Sequence, residues 1–139
     1  MTNNQYETIA LELAILARRV ASMTTYRKTS DLDRSHYLLL HQINTHGSAG
    51  VKTLAEEFHL NVSTVSRQAA SLEERGFAAR IPDPVDGRAF NLQITPDGER
   101  ALAAYRRERT LRMEELLADW SNQELQTFGD LLAKFNRTF

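Results

Sequence analysis

Arg67 and Gln68 stand side by side in "LNVSTVSRQAASLEERGF" (60–77), among Ser63, Thr64, Ser66 and Ser71. These side-chain types read the edges of bases. Arginine can donate two hydrogen bonds to guanine, glutamine pairs with adenine, and hydroxyls serve either. At about 100° per residue from Val65, the apolar Val62, Ala69 and Leu72 cluster within about 60° as a core face. Arg67 falls near 200°, almost opposite, flanked by Ser63, Thr64, Ala70 and Ser71, with Ser66 and Gln68 at the two edges. The acids Glu73 and Glu74 come only in the last turn. A helix that enters a DNA groove needs this distribution, because carboxylates near its reading end would repel phosphates. Short side chains also let the backbone approach the bases. Asn61 and the free amides of the first turn suit a phosphate. The competing reading is an amphipathic surface helix with a serine-rich wet side, and the surrounding elements decide between the two.

A second candidate lies in "PDPVDGR" (82–88), where Arg88 sits near the tip of a hairpin with Asp86 two residues earlier. An arginine on a slim hairpin can enter a minor groove, where the negative potential is strongest. Asp86 is expected to hold that side chain by a salt bridge. Otherwise this is an ordinary hairpin with one exposed ion pair.

Other chemistries find little support. The 139 residues contain no cysteine, which excludes disulfides, cysteine-based zinc sites and thiol redox sensing. His36, His41 and His46 are five apart, about 140° per step on a helix, so they do not share a face as ligands at i, i+4 would. Packing or surface roles are expected for them, and no metal. There is no nucleotide-binding glycine loop and no nucleophile motif, so neither an enzyme nor a cofactor is expected. Net charge is −1, so nothing global points to nucleic acid and any such reading rests on local pattern. No apolar run approaches the ~20 residues that span a bilayer, and "MTNNQYETIA" lacks a basic-then-apolar signal. No membrane role is expected, and a cytoplasmic location is the default.

The elements that must position these residues are mostly helical. Ile9, Leu13, Leu16, Val20 and Met23 recur at steps of three and four and predict a helix over 5–28. Asp33 caps a second helix to about Thr45, and "HGSAG" ends it. "TLAE" (53–56) reads as a capping box opening a short helix over 54–59. Asn61 can cap the next, 62–75, and Gly76 would stop it as a left-handed residue. The period then changes: Phe90, Leu92 and Ile94 alternate with polar residues as a half-buried strand, paired with "FAARI" (77–81). Thr95 caps a long helix with Pro96 in its first position, running to about Trp120. "SNQE" (121–124) is a second capping box, opening a final helix to about Arg137. The order predicts a mainly α chain with a small β-hairpin wing, a winged helix-turn-helix. One domain is expected over 1–139, with a DNA-binding lobe at about 33–95, the helix-turn-helix at 53–75 and the wing at 77–95.

At this point the residues resemble a known family. The "STVSR" of the recognition helix, the "LEERGF" that leaves it, the D-x-R of the wing and the L-x-I-T-P-x-G entering the long helix are similar to those of the multiple antibiotic resistance regulator (MarR) family of bacterial transcription factors. The match covers about 50–102, and the flanking helices fit the family layout. "HGSAGVKT" carries little signal for the family's first strand.

The resemblance implies a two-fold dimer built from the helices at about 5–28 and 97–137. It implies a major-groove helix at 62–75, a minor-groove wing near Arg88, and contact of Lys52 and Thr53 with phosphate. It also implies a repressor of nearby genes, released from DNA by a small, often aromatic, ligand held between the DNA lobe and the dimer helices. Tyr26, His36, Tyr37, His41 and Tyr105 lie on segments that would meet there, although each has a simpler packing role open to it. The residues support the dimer independently. Leu13, Leu16, Leu116, Leu117, Trp120, Phe128, Leu132 and Phe135, with Leu111, Leu125, Leu131 and Phe139, are more apolar surface than a winged helix of this length needs. Two copies spaced about one helical turn, ~34 Å, would present two reading helices to a pseudo-palindromic site in double-stranded DNA. The alternative is a winged-helix protein-interaction module that does not bind DNA. Arg67 and Arg88 together argue against it, since such a module has no reason to place both.

Overall fold

The Ala49 amide donates to the Leu92 carbonyl at 3.0 Å, and the Leu92 amide returns the bond at 2.8 Å. This single antiparallel bridge, between residues far apart in sequence, organises the first part of the chain. It is seen in a computed structural model, which describes residues 2–24 and 32–139. The chain divides into two compact units, Met1–Tyr105 and Arg106–Phe139.

In the first unit, α1 spans Thr2–Thr24, α2 Arg34–His46, α3 Val51–Phe58 and α4 Val62–Glu74. β1 (Ala78–Pro82) pairs antiparallel with β2 (Phe90–Ile94), with Ala78 opposite Ile94 and Pro82 opposite Phe90. α5 (Pro96–Leu116) begins in this unit. The predicted helix 5–28 is therefore present as α1, and its last residues, 25–28, lie outside the described residues. Leu39, Leu40, Ile43, Leu54, Val65, Leu72, Leu92 and Leu102 are fully or almost fully buried and form one core. α2, α3, α4, β2 and α5 all contribute to it, so the helix-turn-helix and the wing share one hydrophobic anchor.

Several local signals act as expected. The Asp33 carboxylate accepts the His36 amide and caps α2. Gly76 has φ 81°, the left-handed conformation that suits glycine. Around it the Phe77 amide donates to the Leu72 carbonyl at 2.8 Å and the Gly76 amide to Glu73 at 3.1 Å, a Schellman closure. α3 ends the same way, with Leu60 bonded to Ala55, but the left-handed residue there is His59, at φ 55°. At the start of α5 the Thr95 hydroxyl accepts the Gly98 amide at 3.0 Å.

The box expected at Thr53 is not used. α3 begins at Val51 with Gly50 as its cap, and Thr53 lies inside the first turn. The Ala49–Leu92 bridge holds the chain extended up to Gly50, so the helix can start there and the Leu54 amide bonds back to Gly50 at 3.1 Å. Asn61 does cap α4 by position, with extended backbone, but its side chain makes no capping bond. Phe90 is more exposed than a half-buried strand implies, because the Arg80 guanidinium rather than the core covers its ring.

The second unit holds the rest of α5 and α6 (Asn122–Asn136). α5 stops at Leu116, short of the expected Trp120. Ser121 must be extended to cap α6, so residues 117–120 are spent on the turn that precedes it. The "SNQE" box forms in full: the Ser121 hydroxyl accepts the Glu124 amide at 3.1 Å and the Glu124 carboxylate accepts the Ser121 amide at 2.9 Å.

Candidate nucleic-acid interface

α4 is placed by its buried stripe. Val65, Ala69 and Leu72 face the core, and the Schellman closure at Gly76 fixes where the helix ends. Arg67, Ser63 and Ser66 are exposed on the outer side, with Ala70 beside them. Among the described residues no carboxylate pairs with Arg67, so its guanidinium is available to a ligand. The opposite edge differs: Thr64, Gln68 and Ser71 are half-buried. The exposed arc is therefore not centred on Arg67. It runs from about 60° to 200° on the wheel, towards Ser66 and away from Gln68.

Val62 departs from the sequence reading. The wheel assigns it to the core, yet it is 51 % exposed. Helical side chains tilt towards the N-terminus, so the first residue of a helix projects past the elements its stripe packs on. The wheel angle alone cannot register that.

A small cleft beside this arc joins four elements. Val51 of α3, Ser66, Ala69, Ala70 and Glu73 of α4, Arg80 of β1 and Phe90 and Leu92 of β2 line it. Arg80 bridges its far side: its Nε donates to Glu73 at 2.5 Å and its guanidinium lies 4.0 Å over the Phe90 ring. This neutralises one of the two acids of the last turn and ties α4 to the wing. The sequence reading missed the pair, because the two residues stand on different elements and neither motif flags them.

The wing loop is ordered by its aspartates. Asp83 accepts the amides of Val85 at 2.8 Å and Asp86 at 3.2 Å. Asp86 accepts the backbone amide of Arg88 at 3.0 Å. The expected Asp86–Arg88 salt bridge is thus replaced by a bond to the backbone. An aspartate two residues before an amide closes a short local ring more readily than it reaches a guanidinium. The Arg88 side chain is exposed. Lys52, Thr53 and Asn61 are exposed as well.

The α2–α3 junction carries a polar clamp. His46 Nε2 lies 2.9 Å from the Glu57 carboxylate, and the Gln42 amide donates to it at 3.2 Å. The hydrogen bond from His46 holds the Glu57 carboxyl below its usual range, Gln42 adds to this, and partial burial opposes it. His36 lies 2.8 Å from Asp33. Among the described residues no three histidines or acids are grouped to hold a metal.

Of the residues placed near a ligand pocket, Tyr37 and Tyr105 stack at 4.2 Å, and His41 stacks on Tyr37 at 6.2 Å. His36 turns to its capping aspartate instead, and Tyr26 lies outside the described residues. Leu13, Leu16, Leu116, Trp120, Phe128, Leu132 and Phe135 are all exposed in the single chain, and Leu117 is half-exposed.

Comparison with known proteins bears on this geometry. The MarR family model matches residues 32–90. The chain is 43 % identical over 137 residues to the uncharacterized HTH-type transcriptional regulator YxaD of Bacillus subtilis (strain 168), covering 98 % of this chain and 96 % of that protein. The chain belongs to the MarR family. It is a helix-turn-helix transcription regulator, as its relatives are. Among solved structures, YusO of Bacillus subtilis superposes with a TM-score of 0.72 at 21 % identity, over 100 % of this chain and 99 % of that one. FabT of Streptococcus pneumoniae, solved in complex with DNA, superposes with a TM-score of 0.74 at 18 % identity, over 96 % of each chain. Among the described residues no helix is long and apolar enough to cross a membrane.

Proposed function

We propose that the protein is a sequence-specific DNA-binding repressor, acting as a homodimer on a pseudo-palindromic site and released by a small aromatic or phenolic ligand. The observation that carries this reading is the exposed face of α4. Its first two turns hold Ser63, Ser66 and an unengaged Arg67 and no carboxylate, and the one acid nearest the wing is neutralised by Arg80. In this reading α4 enters the major groove, Arg88 reaches the minor groove, and Lys52, Thr53 and Asn61 meet phosphates.

Two further features support the finer parts. On α6, Leu125, Phe128, Leu132 and Phe135 repeat at three and four residues and are all exposed, as are Ile9, Leu13 and Leu16 on α1. Apolar stripes of this length on a single chain support an interface with a second copy. Tyr37 and His41, both half-buried, stack in a row on the buried Tyr105, and this grouping of aromatic rings supports an aromatic ligand nearby.

Selection of bound duplexes from a random pool tests the central reading. An enriched palindrome is expected, and a pool that stays random would overturn it. A thermal-shift screen of aromatic acids tests the ligand. Stabilisation by at least one compound is expected, and none by any would remove that part.

A further inference from the structure

We propose that Val62 is a base-reading residue, packing its isopropyl group against the 5-methyl group of a thymine in the major groove. The inference rests on the DNA-binding reading above and adds a contact that the motifs do not suggest.

Val62 contributes little to the fold. It is 51 % exposed, while Val65, Ala69 and Leu72 of the same helix are buried. As a β-branched residue it does not favour a helical first turn either. What it has is position. It is the first residue of α4, on the edge of the helix occupied one turn later by exposed Ser66. The opposite edge, with Thr64 and Gln68, is half-buried. The exposed arc therefore runs from Val62 through Ser66 and Ala70 to Ser63 and Arg67. A recognition helix of this type meets base edges with its N-terminal residues, and its side chains lean in that direction. Within the first three turns Val62 is thus the apolar member of a surface whose other members are hydroxyls, a methyl and a guanidinium, the exposed acid on this arc, Glu74, coming only at the far end of the helix. The thymine methyl is the one apolar group that base pairs present in the major groove. An exposed valine at this point complements it and nothing else there.

The test uses the full-length protein and the duplex recovered by selection, with each thymine of a half-site replaced in turn by deoxyuridine, which lacks only the methyl. For the wild type one replacement per half-site should weaken binding about fourfold, the loss expected for one buried methyl. Val62→Ala should bind the unmodified duplex more weakly by a similar factor and be indifferent to that replacement. Alanine is the better helix former, so the variant keeps its fold, and an unchanged thermal midpoint would verify this. No uridine position weakening the wild type would overturn the proposal. So would a pattern of sensitive positions that is the same in Val62→Ala. A wild-type protein that binds no duplex at all would instead remove the DNA-binding reading, and this inference with it.

Discussion

The Thr95 hydroxyl donates to the Gly76 carbonyl at 2.6 Å. The same oxygen accepts the Gly98 amide at 3.0 Å, so one side chain joins the exit of α4 to the entrance of α5. The Thr95 amide adds a third bond, to the Phe77 carbonyl at 3.1 Å. Replacing Thr95 by Val keeps the shape and removes the hydroxyl. It should lower stability by about 1–2 kcal/mol in urea unfolding, and Thr95→Ser should recover most of that.

Gly98 sits inside this junction. A Cβ there would come within 2.1 Å of the Phe77 carbonyl oxygen and 2.8 Å of the Ile94 side chain. The first of these is backbone, pinned by the bond to Thr95, and cannot move aside. Gly98→Ala should therefore cost at least about 2 kcal/mol, although alanine is the better helix former in general. A thermal midpoint equal to the wild type's would contradict so close an approach of α5 to Phe77.

Arg67 and Arg88 should fail in different ways. Arg67→Ala should cost about 1–3 kcal/mol on the selected site and relax the base preference there. Arg88→Ala should weaken binding more evenly across sequences and reduce the salt dependence. Titrations at several salt concentrations separate the two, and loss of neither would show that the contacts are assigned wrongly.

The Glu57 clamp gives a pH prediction. The His46 hydrogen bond depresses the folded-state carboxyl below its ordinary value of 4.5. A depressed acid stabilises the fold above the unfolded-state value, and that contribution is lost as pH falls through the folded one. Stability should decline on acidification below about pH 4.5, and Glu57→Gln should flatten that decline. Urea midpoints measured across the acid range for both proteins would check it. Equal slopes would show that the clamp carries no linked proton.

The stripe on α6 predicts an oligomer. Phe128→Glu combined with Leu132→Glu changes side chains that are exposed in the single chain, so the protomer should still fold. Sedimentation should shift from dimer to monomer. Affinity for a palindrome should fall by about 10²-fold or more, since the second half-site no longer binds in the same event. A double variant that remains dimeric would place the interface elsewhere.

Much of the fold was readable because its signals are local. The Schellman stop at Gly76, the Ser121–Glu124 box and the Thr95 cap each involve residues within about five positions, so short-range backbone chemistry specifies them. The box at Thr53 looked equally good and was wrong. There the deciding contact is the bridge from Ala49 to Leu92, and no pattern within "VKTLAEEF" encodes it. The Asp86–Arg88 pair failed the other way, when a nearer backbone amide took the carboxylate.

The candidate reading face shows the same division. Residue types and helical period alone placed Arg67 opposite the buried stripe, with Ser63 beside it and Ser66 at one edge, because periodicity follows from backbone geometry that every α-helix shares. Which edge of α4 stays open was settled only by what packs beside it. Thr64 and Gln68 became half-buried, and Val62 came out of the core, because burial is a property of neighbours brought from elsewhere in the chain. The ion pair of Arg80 with Glu73 and the tie of Thr95 to Gly76 arise likewise, once folding sets separate elements within a few ångströms.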